Sequence, residues 1–149
     1  MIHRTQSRFF SANRKARRQS ERPAMKLLFL IFVLTLTANA DVPQSFYNAI
    51  RSVEAGGREG NIIGDGGRAL GPFQIHRAYW QDSRVSGSYG MVTNAAYSQR
   101  VVSAYLRRYC PQAVITGDFE TMARVHNGGP RGASKKATAG YWKKVKAKL

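Results

Sequence analysis

A single cysteine, Cys110, leaves this 149-residue chain without a partner for an intrachain disulfide. Whatever folds here must therefore be held by a packed core, which a chain of this length can supply. A lone thiol following the helical residue Tyr109 reads as a small buried hydrophobe, with pairing to a second chain as the other reading. Acids are scarce as well: 8 Asp plus Glu stand against 24 Lys plus Arg, a formal +16. No apolar run approaches the roughly twenty residues of a membrane span. The run at residues 27–37, LLFLIFVLTLT, is too short, so no stable membrane insertion is expected. No set of His, Cys and acids has metal-ligand spacing and no glycine-rich phosphate loop is present, so neither a metal nor another cofactor is expected. Internal repeats are absent too.

What is present begins with a leader. Residues 1–40 hold eight of the basic side chains and one acid, Glu21. Within them, Met25-Lys26, the apolar region 27–37 and Ala38-Asn39-Ala40 form the basic, apolar and small-residue parts of a secretory signal peptide. Cleavage is expected after Ala40, with the Arg- and Ser-rich stretch upstream as an N-terminal extension and Met25 as an alternative start. The expected destination is extracellular, with a lysosomal or vacuolar fate on the same route. Residues 41–149 keep sixteen basic side chains against seven acids, a formal +9, and form one domain. A basic surface of this kind is ordinary solvated charge or a means of attracting polyanions.

Hydrophobic spacing divides that domain into helices. Phe46, Ile50 and Val53 recur at helical intervals until Gly56 and Gly57 stop the pattern. Asn61–Ile63 and Arg68–Leu70 flank a Gly64–Gly67 turn as a small hairpin, and Gly71-Pro72 opens a helix through FQIHRAYW. Thr93 caps a long helix striped with Tyr97, Val101, Val102, Tyr105 and Leu106. Asp118 caps FETMARVHN, which Gly128-Gly129-Pro130 ends. Tyr141, Trp142, Val145 and Leu149 mark a last helix starting near Thr138. Five helices and one hairpin make an α+β domain that is mostly α.

Two carboxylates bracket the glycine-rich turn. Glu54, at a helix end, should face a cleft; against apolar walls its pKa rises and it becomes a general acid near neutral pH. The plainer reading is an exposed helix-end glutamate, as Glu59 is. Asp65 lies among Gly64, Gly66 and Gly67, where nearby amides favour an ionised carboxylate, or it is simply a turn aspartate. One protonated and one ionised carboxyl is the working pair of glycoside hydrolysis. Gln74, His76, Tyr79 and Trp80 either line a sugar cleft or pack in the core. His126 and Asn127 either bring polar groups to the cleft floor or close the end of their helix.

The segments VEAGG, GDGGRALGPFQIHRAYW and MARVHNGGPRGASKKATAGYWKKV, in this order, resemble the invertebrate-type lysozymes of the destabilase family over nearly all of residues 41–149. The resemblance implies a lysozyme-like fold and hydrolysis of the β-1,4 bond between N-acetylmuramic acid and N-acetylglucosamine in bacterial peptidoglycan. It places the catalytic glutamate on Glu54 and the aspartate on Asp65. Anionic wall polymers then become the natural polyanions for the basic surface, and no nucleic acid is expected. This chain departs from the family in its cysteines, with other residues around Gly57, Leu70 and Ala133 where cysteine is usual, and in an Asp65-to-Gly71 spacing about one residue short. Arg68, Ala69 and Leu70 stand where some relatives carry serines credited with isopeptidase action, which argues against that activity. Two other classes stay open: a single-glutamate lytic transglycosylase using Glu54, and a non-enzymatic cationic wall-binding protein.

Overall fold

A computed structural model describes residues 41–149; the N-terminal extension, the apolar region 27–37 and the expected cleavage after Ala40 lie outside the described residues. The first helix, α1 (Gln44–Ala55), starts behind Pro43, whose φ of −64° suits helix entry and whose carbonyl accepts from the Phe46 and Tyr47 amides. Its Phe46, Ala49 and Ile50 are fully buried. Left-handed Gly56 (φ 61°) ends it, and the amides of Gly56 and Gly57 return to the Ser52 and Arg51 carbonyls.

Three two-residue strands follow, β1 (Ile63–Gly64), β2 (Ala69–Leu70) and β3 (Ile75–His76). They form an antiparallel sheet in the order β1-β2-β3, with Ile63 opposite Leu70 and Ala69 opposite His76. The expected hairpin is therefore the first two strands of a three-stranded sheet. Its third strand occupies residues read as helix from the sequence: Gly71-Pro72 makes a turn, and helix α2 begins only at Arg77 (Arg77–Ser83). The cause lies at Gly71, which has φ 76°, and at Gln74, left-handed at φ 46°, both outside the right-handed helical region.

Helix α3 (Ala95–Tyr109) is capped by Asn94, whose side chain accepts from the Tyr97 amide at 2.9 Å, rather than by Thr93. Cys110 breaks the chain direction, and Pro111 opens a sixth helix, α4 (Pro111–Thr116), where five were expected. Asp118 caps α5 (Phe119–Gly128) as read, accepting from the Thr121 amide at 3.0 Å, and Gly129 ends it. The last helix is α6 (Ala139–Lys146). Six helices and one small sheet, among the described residues, confirm the mostly helical α+β class.

Phe46, Ile50, Phe73, Ile75, Val101, Leu106, Met122 and Val145 meet in one core drawn from α1, the turn before β3, β3, α3, α5 and α6. Cys110 joins it as a free, buried thiol. Burial, with a smaller contribution from Asp118, pushes that thiol up to about 11. No helix among the described residues is long and apolar enough to cross a membrane.

The turn at Gly71 carries a sharp prediction. A Cβ there would overlap the backbone carbonyl of Val92, and the positive φ strains any side chain. Gly71→Ala should cost more than about 1 kcal/mol, lowering the midpoint of thermal unfolding by circular dichroism by several degrees. An unchanged midpoint would mean the turn has another conformation.

Candidate active site

Glu54 belongs to the buried side of α1. Tyr47, Ile50 and Glu54 follow one another at intervals of three and four residues, so they share one stripe of the helix. The stripe that carries Tyr47 and Ile50 into the core ends on a carboxyl group, and the Glu54 side chain is left 19% exposed. Its Oε1 accepts a 2.7 Å hydrogen bond from the Tyr141 hydroxyl on α6, and His126 Nε2 on α5 stands 3.8 Å from the same oxygen. Burial raises the Glu54 pKa; the Tyr141 bond and the Lys144 charge offset part of that rise.

His126 is more enclosed, its side chain 4% exposed. Burial depresses its pKa from 6.5 to about 4, against a smaller opposing contribution from the Phe73 backbone. The imidazole is therefore neutral around pH 7, and the approach to Glu54 is a contact between uncharged ring and carboxyl, too long for a hydrogen bond. Its Nδ1 shares a 3.1 Å hydrogen bond with the Tyr79 hydroxyl. Tyr79 in turn stacks on Tyr105, with ring centroids 3.6 Å apart.

Asp65 comes from the opposite wall, in a short 3-10 turn between β1 and β2 (Asp65–Gly67). It holds a left-handed backbone at φ 48°, an uncommon conformation for a residue with a side chain. Arg68 secures it twice, donating Nη2 to Oδ1 at 2.6 Å and Nε to the Asp65 carbonyl at 3.1 Å. His76 Nε2 lies 3.3 Å from Oδ2. The carboxylate is oriented from both sides while remaining 43% exposed.

Glu54 and Asp65 line one hollow of about 280 Å³ together with Ala69, Gln74, His76, Tyr79, His126 and Asn127. Seven of the eight residues singled out in the sequence thus converge. Trp80 is the exception: its indole donates to the Tyr97 hydroxyl at 2.9 Å and its ring packs against Tyr89, away from the hollow. Gln74 lines the hollow but has structural work, donating to the Gly71 carbonyl at 2.9 Å and the Ile62 carbonyl at 3.4 Å. Gly64 makes room for it, because a Cβ there would overlap the Gln74 amide.

Tyr141 and Arg68 were not read as site residues, since an aromatic at helical spacing reads as core and an arginine in a turn as surface. A larger hollow of about 660 Å³ lies between α1 and α3, but its one acid, Asp41, is paired with Arg107 at 3.0 Å. It lacks the paired acids of the smaller hollow. No three His, Cys, Asp or Glu side chains converge as a metal site among the described residues.

A family model described as Destabilase matches residues 48–148. Lysozyme 1 of Crassostrea virginica is 39% identical over 109 residues, which is 71% of this chain and 59% of that protein, so the chain spans well under two thirds of that relative. A lysozyme of Meretrix lusoria is 36% identical over 111 residues, covering 72% of this chain and 91% of that one. The crystal structure of Meretrix lusoria lysozyme in complex with Aeromonas hydrophila PliI superposes with a TM-score of 0.61 at 34% identity, over 71% of this chain and 89% of that chain. The fold is that of these lysozymes.

The buried imidazole makes stability depend on pH. Its folded pKa lies below its unfolded value, so the unfolded chain takes up a proton first and stability is lost as pH falls from 6.5 towards 4. A depression of this size corresponds to about 3 kcal/mol once fully expressed. His126→Gln should remove most of that loss when denaturant unfolding is compared at pH 7 and pH 4.5, and an unaltered pH dependence would mean that His126 is charged in the folded state.

Proposed function

The chain belongs to the destabilase family, and on that footing we propose that it is a secreted muramidase, cleaving the β-1,4 bond between N-acetylmuramic acid and N-acetylglucosamine in bacterial peptidoglycan. The observation that carries the reading is a partly buried carboxyl with a raised pKa, Glu54, sharing one hollow with the exposed and doubly oriented carboxylate of Asp65. This is the division of labour that glycoside hydrolysis requires. Glu54 gives its proton to the glycosidic oxygen as the bond to the anomeric carbon breaks. Asp65 supports the positive charge developing on the sugar, as nucleophile or as stabiliser, and water supplies the hydroxyl that completes the products. Gln74, His76 and Asn127 offer the sugar polar groups along the wall of the hollow.

Export through a cleaved signal peptide, and a role in antibacterial defence or digestion of bacteria, form part of this proposal. So does attraction to anionic wall polymers. From Arg131 to Lys148 the chain carries seven cations, and no acid follows Glu120. The ion pairs among the described residues use other cations, leaving this segment as a field of one sign.

The test uses clearing of a peptidoglycan suspension. Glu54→Gln should lower the rate by about 10²–10⁴-fold, the usual contribution of a general acid, and Asp65→Asn should also abolish most clearing, each variant keeping its circular dichroism spectrum. Clearing that survives Glu54→Gln would sink the muramidase reading. Loss with Glu54→Gln but not with Asp65→Asn, together with native products one water lighter than those of hydrolysis, would indicate a lytic transglycosylase. Binding to whole walls should weaken as salt rises from 0.05 to 0.5 M, because exposed charge is screened; salt-independent binding would remove the basic segment from the account.

A further inference from the structure

Two polar side chains approach the Glu54 carboxyl, and both face the same oxygen. The Tyr141 hydroxyl lies 2.7 Å from Oε1, and His126 Nε2 lies 3.8 Å from Oε1. Neither makes a hydrogen bond to Oε2. The two oxygens of a carboxyl are equivalent in water, and a general acid works only if the proton sits on the one that faces its substrate.

We propose that Tyr141 is a positioning residue that fixes which oxygen of Glu54 delivers the proton: its hydroxyl holds Oε1 against α6, so that the transferable proton resides on Oε2. The inference rests on the reading of Glu54 as general acid. In the protonated state Oε1 is the carbonyl oxygen and accepts from Tyr141, while Oε2 carries hydrogen. On transfer, the O–H bond at Oε2 breaks and a new one forms at the leaving glycosidic oxygen. The charge left on the carboxylate is met at Oε1 by the same hydroxyl, with Lys144 of α6 nearby.

Burial keeps the Tyr141 phenol protonated, raising its pKa well above 10. The tyrosine therefore remains a donor throughout the range in which Glu54 titrates. The other titratable groups around Glu54 are His126 of α5, with Tyr79 of α2 behind it, Lys144 of α6, and Asp65 on the facing wall. His126 is neutral above pH 5, so it does not change charge in the window where the alkaline limb governed by Glu54 would be read.

Tyr141→Phe keeps the ring and removes the donor. It should lower kcat by about ten- to hundredfold with little change in KM. Because the lost hydrogen bond favoured the ionised form of Glu54, the alkaline limb of the pH–rate profile should move to higher pH. Carbon-13 NMR titration of the Glu54 carboxyl, read without substrate in the full chain and in Tyr141→Phe, should show the same upward displacement. An unmoved Glu54 titration would overturn the contact, and a moved titration with unchanged kcat would overturn the positioning role. If the native protein cleaves no glycan, the muramidase reading fails and the delivery role with it, while the titration still reports on the contact by itself.

Discussion

A single hydrogen bond joins the first helix to the last. Tyr141 of α6 donates to Glu54 of α1 across 87 residues of sequence, and the carboxyl it meets lies where the apolar stripe of α1 runs out. The placement of Glu54 depends on that stripe being continuous. Phe46 and Ile50 anchor α1 in the core, so the position of Glu54 is set by side chains that never meet a substrate. The enclosure that raises the Glu54 pKa also silences His126, because one low-dielectric wall disfavours charge on both. A neutral imidazole beside the Glu54 carboxyl avoids the desolvation of two charges that a buried ion pair would carry.

The facing wall is built on another principle. Strands of two residues have no independent stability, and the sheet is held by side chains reaching to backbone. Tyr89 donates to the Ile75 carbonyl at 2.7 Å and to the Arg68 carbonyl at 3.2 Å, while Gln74 ties the turn at Gly71 to Ile62. Asp65 and Gln74 both hold left-handed backbones. Non-glycine residues in that region cost of order 1 kcal/mol or more each and persist where their surroundings over-determine them. Here the Arg68 pair at Asp65 and the backbone bonds of Gln74 supply that determination. One acid is thus placed by packing and the other by strain held in check.

Most of the helical frame was legible because its signals are local. Spacing of apolar residues marked α1, α3, α5 and α6, and the glycines after Glu54 and Asn127 marked two helix ends. The segment from Gly71 to Gln74 misled because proline suits both a first helical turn and a tight turn. Only the positive φ at Gly71 and Gln74 decides between them, and Gln74 gives no sign of it in sequence. Helix α4 was too short to show a period. Of the candidate site, the two acids and the polar residues near them could be named from the glycine-rich pattern between them. Tyr141 could not, since nothing within its own helix separates it from Trp142 as a core aromatic. Trp80 takes the second of its two readings and packs against the core, while its neighbour Tyr79 reaches the hollow, because one step along a helix turns a side chain by about 100°.

The lone buried thiol has a consequence for where such a domain can work. A chain tied by disulfides depends on an oxidising surrounding both to mature and to persist. Here Cys110 is enclosed and its thiolate is disfavoured, so it offers neither a nucleophile nor a partner for exchange. The folded state is therefore indifferent to the redox poise around it. It can form without an oxidant or a disulfide isomerase.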